Sequence, residues 1–182
     1  MIRSLCVFCG SNAGLDPRFA NIAHDFGVLL AKENIALVYG GGHVGLMGIV
    51  ADAVLAGGGK AIGVIPRMLC DREVGHRGLT ELHVVESMHE RKAMMASLSD
   101  AFVALPGGLG TLEEIFEVWT WAQLGIHNKP LGFLDAFGFY APLLSFLDRA
   151  VDAGFIRAQY RRMAIVDKDP AALLRRMGEF AT

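Results

Sequence analysis

The sequence predicts an α/β fold: a Rossmann-like, doubly wound parallel sheet with helices on both faces. Three observations lead there. Short apolar runs alternate with longer amphipathic stretches, and each run stops at glycine or proline, as in successive strand–turn–helix units. The runs are also nearly continuous in apolarity rather than alternating, which marks strands buried on both faces. The 182 residues suit a single domain, 1–182, large enough for one substantial core. No interdomain linker, internal repeat or low-complexity segment interrupts it.

Taken in order, Leu5–Cys9 reads as the first strand and ends at Gly10-Ser11. A helix follows from Pro17 to about Glu33, with proline suited to a first helical turn. Ile35–Tyr39 and Ala61–Ile65 are the next strands, then Leu82–Val85, Ala101–Leu105 and Leu131–Leu134, with a helix over Met88–Leu98. Six or seven such units are expected. In these sheets ligands bind beyond the carboxyl ends of the strands. Interest therefore falls on the loops at Cys9–Ser11, Gly40–Gly48 and Pro106–Thr111.

Composition narrows the function. Lys plus Arg number 17 against 19 Asp plus Glu, a net charge of −2, so no basic excess exists to neutralise a nucleic-acid backbone. A small anionic substrate needs only one or two local cations. No stretch is long enough to cross a bilayer. The amino-terminal apolar run is too short for a secretory signal, and three cysteines do not suggest a disulfide framework, so a reducing cytoplasm is expected. The 53% hydrophobic content against 20% charged exceeds the usual soluble balance, and the surplus is expected to cover a subunit interface.

Two glycine-rich segments suit phosphate contact. Gly40-Gly41-Gly42-His43-Val44-Gly45 has the form G-x-G-x-x-G between a strand and a helix. Dinucleotide binding is the minor reading, because the following strand ends at Ile65-Pro66-Arg67, with no acid for the ribose hydroxyls. A tight turn with close helix packing accounts for the glycines equally well. Pro106-Gly107-Gly108-Leu109-Gly110-Thr111 is more specific: a proline ends the strand, glycines free the backbone, and a hydroxyl stands at a helix start. It lacks the Gly-Lys-Ser/Thr of a nucleotide-triphosphate loop.

Leu112, Ile115, Phe116, Trp119 and Ala122 repeat at helical spacing and predict the core face of the next helix. Glu113, Glu114 and Glu117 lie off that stripe. Acids complementing the helix dipole are the plain explanation, yet carboxylates beside a phosphate cradle repel the ligand unless one addresses another part of it. Arg91 and Lys92 in Met88-His89-Glu90-Arg91-Lys92 sit near a helix start and oppose its dipole, so either an anionic ligand or simple solvation accounts for them. The irregular polar stretch Pro66–Thr80, with Arg67, Asp71, Arg72, Glu73, His76 and Arg77, suits a binding loop or a solvated one. His89-Glu90 lacks the second histidine of a zinc helix, Cys6 and Cys9 point to opposite strand faces, and the histidines show no ligand spacing; no metal is expected.

Together, Cys9-Gly10-Ser11, Tyr39-Gly40-Gly41-Gly42, Gly45-Leu46-Met47-Gly48, Met88-His89-Glu90-Arg91-Lys92 and Pro106 to Glu114 resemble the LOG ("lonely guy") family of cytokinin riboside 5′-monophosphate phosphoribohydrolases. The resemblance runs from Leu5 to about Pro130 and more loosely to the end. It implies a Rossmann-like homodimer that hydrolyses the N-glycosidic bond of an adenosine-type monophosphate, without a cofactor. It further implies Arg91 and Glu114 as the catalytic pair and Gly108 to Thr111 as the phosphate cradle. Glu73, Lys92, Thr120, Gly107, Leu112 and Glu113 are implied as further substrate positions, with Ser11, Gly41, Gly42 and Met88 from the neighbouring loops. Broader use of nucleoside monophosphates, or nucleotide binding without catalysis, are the alternative readings. A lysine decarboxylase label, sometimes given to relatives, would require a Schiff-base lysine with cofactor-tuning partners, and the sequence identifies no such set.

Overall fold

In a computed structural model, which describes residues 1–70 and 75–180, seven parallel strands form one sheet in the order β4-β3-β2-β1-β5-β6-β7. The strands are β1 (Ser4–Phe8), β2 (Ala36–Tyr39), β3 (Ala61–Pro66), β4 (Glu81–Val85), β5 (Ala101–Ala104), β6 (Leu131–Leu134) and β7 (Ala164–Asp167). The expected α/β class and the six strands read from the sequence are all present. The seventh, β7, has no counterpart among those six runs, being short and only half buried at its end.

The helices used below are α1 (Pro17–Lys32), α2 (Gly45–Ala56), α3 (Arg67–Cys70), α4 (Met88–Ser97), α5 (Leu109–Gln123), α6 (Ala141–Asp152), α7 (Ala158–Arg161) and α8 (Pro170–Phe180). Pro17 opens α1 behind Asp16, whose carboxylate accepts from the Arg18 N–H and satisfies one of the unpaired donors at the helix start. Strand periodicity splits the core into two. Leu5, Val7 and Cys9 face one cluster with α1, α2 and α8, while Cys6 and Phe8 face another with α4, α5 and α6.

Burial departs from expectation in two places. β4 is the edge strand, and Leu82 and Val84 remain 39% and 43% exposed, so its apolar run is not buried on both faces. In α5 the fully buried positions are Thr111, Ile115, Val118 and Trp119; Leu112, Phe116 and Ala122 are only half buried. The core face is thus rotated towards Thr111, which the loop glycines draw inward.

The chain winds outward from β1 to β4 and then returns to place β5 on the other side of β1. The direction reverses between β1 and β5, the point at which sheets of this kind place a crevice beyond their strand ends. Backbone hydrogen bonds tie the crevice walls together. The Gly10 N–H donates to the Pro106 carbonyl at 3.0 Å, and the Leu46 N–H donates to the Gly10 carbonyl at 2.9 Å.

Candidate active site

A cavity of about 290 Å³ lies at this reversal point, walled by the loop after β1, by α2, α3 and α4, and by the start of α5. Its floor is the amino terminus of α5. Gly108 is the N-cap and offers no side-chain acceptor, so no residue side chain caps the helix. The first N–H groups of the helix, with its positive dipole end, face a site suited to an anion. Gly108 and Gly110 have no atom within 4 Å of where a Cβ would lie, so the backbone here is open to close approach. Gly107 differs: a Cβ there would meet the Thr111 hydroxyl and the Gly10 N, so this glycine holds the loop against the helix.

Arg91 enters the cavity from α4. Ser87 caps α4 by accepting from the Glu90 N–H, and this places Arg91 in the second turn, 5% exposed. Its Nε donates to the Val64 carbonyl at 3.1 Å and its Nη2 to the Gly40 carbonyl at 3.0 Å. Two buried carbonyls thus fix the plane of the guanidinium, and Nη1 lies beside the Met88 sulfur. The solvated Arg-Lys pair weighed from sequence is not what forms. Gly40 makes the arrangement possible, because a Cβ there would fall on Arg91 Nη2. The first glycine segment therefore serves Arg91, a function its motif form did not reveal.

Glu114 lines the same cavity from the second turn of α5, as does Glu113. No acid stands in the first turn of α5, so the helix dipole does not account for either position. Cys9, also on the cavity wall, is buried; burial first, and then the charge of Glu114, push its thiol well above the ordinary range. It stays protonated at neutral pH and is not a nucleophile.

Lys92 is turned away from the cradle. Its Nζ donates to Glu113 at 2.6 Å and to Glu117 at 3.0 Å, joining α4 to α5. Burial lowers the lysine pKa, but the hydrogen bonds from Glu113 and Glu117 outweigh it and hold the ammonium above its usual value. A Schiff-base lysine needs the opposite shift.

Of the positions expected from sequence, Ser11, Met88, Arg91 and Glu114 converge on the cavity, together with Gly108 to Thr111 and Glu113. Gly107 lines an adjoining apolar cavity of about 290 Å³ that shares Gly10, Ser11 and Gly108 with the first. Four expected positions are placed elsewhere. Gly41 (φ +76°) accepts from the His76 N–H, Gly42 pairs with Gly75, and Leu112 packs half buried against the core. Thr120 is exposed farther along α5, donating to the Phe116 carbonyl. Glu73 lies outside the described residues. Met47 and Leu69 also line the cavity; Met47 falls in the Gly45–Gly48 motif and Leu69 in the polar stretch Pro66–Thr80, but neither apolar side chain carries a chemical signal of its own.

The family described as "possible lysine decarboxylase" matches residues 47–177. Cytokinin riboside 5′-monophosphate phosphoribohydrolase LOG3 of Arabidopsis thaliana is 50% identical over 179 residues, covering 98% of this chain and 83% of that protein. The chain belongs to the LOG family. Its similarity to the phosphoribohydrolase LOG of Oryza sativa subsp. japonica is 51% over 178 residues, covering 98% of this chain and 74% of that relative. Among solved structures, the molybdenum cofactor binding protein of Rippkaea orientalis superposes with a TM-score of 0.72 at 21% identity, covering 100% and 99% of the two chains. The Moco carrier protein of Chlamydomonas reinhardtii gives 0.72 at 20%, covering 99% and 98%. This LOG-family chain therefore shares its fold with those two proteins, and is similar in sequence to the phosphoribohydrolases.

Proposed function

We propose that the chain hydrolyses the N-glycosidic bond of cytokinin riboside 5′-monophosphates, N6-substituted AMP, to the free base and ribose 5-phosphate. The observation that carries this reading is one cavity holding a fixed guanidinium, a carboxylate and an uncapped helix amino terminus. Similarity near 50% to phosphoribohydrolases over nearly the whole chain supports the same chemistry.

The start of α5 holds the phosphate through its N–H groups. Cleavage builds positive charge on the ribose and negative charge on the departing base. Glu114 stabilises the oxocarbenium-like ribose or orients the attacking water. Arg91 orients the substrate and offsets developing negative charge through its guanidinium. The Arg91 guanidinium is held by the Val64 and Gly40 carbonyls before substrate arrives, which saves reorganisation during reaction. Lys92 positions α5 through Glu113 and Glu117. Glu73 and Thr120 complete the substrate contacts in the assembled enzyme, a cytoplasmic homodimer.

The deciding experiment incubates purified protein with AMP and with N6-isopentenyl-AMP and assays free base and ribose 5-phosphate. Faster release from the N6-substituted substrate is expected. Equal release from both would leave a general nucleoside monophosphate hydrolase, and release from neither would overturn the enzymatic reading.

A further inference from the structure

We propose a binding site for a borderline transition-metal dication, of the Zn²⁺ or Co²⁺ type, at His43, Asp52 and His76. The three residues come from the loop before α2, from α2 itself and from the segment before β4, and their ligand atoms all lie within 4.8 Å of one another. His76 is 6% exposed, while His43 and Asp52 border solvent, so an ion could enter from outside and keep water on its open positions. Two imidazoles and one carboxylate favour such an ion over Mg²⁺ or Ca²⁺, which seek mostly oxygen ligands. The site is separate from the cavity that holds Arg91 and Glu114.

The hydrogen bonds define what binding would exchange. The Gly78 N–H donates to His76 Nδ1 at 3.1 Å, so in the metal-free chain the imidazole proton sits on Nε2 and is given to Asp52 Oδ1 at 2.9 Å. The His43 ring meets the His76 ring edge-on at 4.6 Å between centroids, and among the described residues it makes no hydrogen bond. A metal–Nε2 bond replaces the Nε2–H···Oδ1 hydrogen bond, and the Asp52 carboxylate passes from acceptor to ligand. The displaced proton moves through solvent to Nδ1, so no net proton is released, and the Gly78 N–H loses its acceptor. Metal binding is thereby coupled to the backbone at His76–Gly78. That backbone is anchored beside the first glycine segment, where the His76 N–H donates to the Gly41 carbonyl.

The test is calorimetric titration of untagged protein with Zn²⁺, together with visible spectroscopy of the Co²⁺ complex. One equivalent should bind, and His43→Ala, Asp52→Asn and His76→Gln should each weaken it about tenfold or more. ¹⁵N spectra should show the His76 proton on Nε2 without metal and on Nδ1 with Zn²⁺, with the Gly78 amide signal shifting alongside. His43 is exposed, so His43→Ala serves as the variant whose folding is least at risk. Absence of stoichiometric binding, or undiminished binding by His43→Ala, would overturn the site. The Cys70 sulfur lies 3.4 Å from where a Gly75 Cβ would stand, beside His76 in the chain, so loss of binding in Cys70→Ser with retention in the histidine variants would assign the ion to that thiol and overturn the site equally.

Discussion

At the residue scale, two glycines in similar motifs carry opposite burdens. Gly40→Ala would drive a methyl group into Arg91 Nη2, which two buried carbonyls hold in place, with the Met47 sulfur 3.4 Å from the added carbon. The expected result is about 1–3 kcal/mol of lost stability, typical of overpacking, with a fall in kcat as the guanidinium is displaced. Gly108→Ala meets nothing within 4 Å, so thermal stability should hold while KM rises, because the added carbon stands where the phosphate is proposed to approach. Denaturant melts and steady-state kinetics on the pair separate the two roles. Glu114→Gln keeps the shape of the side chain and removes its charge; turnover should drop by about 10²–10⁴ if the group acts as base or charge stabiliser. Near-wild-type turnover would reject that role.

At the element scale, α4 and α5 are joined by Lys92 between Glu113 and Glu117. Lys92→Met leaves two carboxylates facing each other without their cation. Glu113 is 53% exposed, and solvent screens part of the loss, so about 1–3 kcal/mol is expected. The sign with pH follows from the raised lysine pKa. The stabilisation is fully present below about pH 10.4, the unfolded value, and is lost only as pH rises through the higher folded value. The gap between wild type and variant should therefore stay constant from neutral pH upward and close only in strong alkali. Asp100 shows the opposite dependence. Burial raises its pKa, but the N–H groups of Arg3 and Ser4, which donate to it at 2.8 and 3.1 Å, outweigh burial and depress it. Its contribution is present above about pH 3.9 and disappears as pH falls through the folded value. Asp100→Asn should cost about 1 kcal/mol at neutral pH and nothing in strong acid, read from urea melts across pH.

At the scale of the whole molecule, apolar surface remains uncovered in the single chain. Leu109, Leu124, Ile126, Phe146 and Phe155 are 64–89% exposed. Where such side chains lie together they offer apolar surface that a second subunit could cover. Light scattering should give twice the 19.6 kDa chain mass, matching the proposed homodimer; a species of 19.6 kDa alone would contradict it. Among the described residues, no helix is long and apolar enough to cross a membrane.

The alternation of apolar runs with amphipathic helices is enough by itself to predict six of the seven strands, because a parallel sheet buries the faces of its inner strands and leaves that pattern in the chain. Local spacing likewise marks Gly108 to Thr111, since a cradle at a helix start is built from consecutive residues. Arg91 and Glu114 were legible through motif resemblance, but their convergence was not, for they reach one cavity from helices that follow different strands. Only the reversal of strand order between β1 and β5 brings those helices together. The partners of Lys92, the service of Gly40 to Arg91, and the meeting of His43 with Asp52 and His76 are likewise decided by tertiary structure. Each depends on atoms far apart in the chain, whose distances the sheet sets and no local period records.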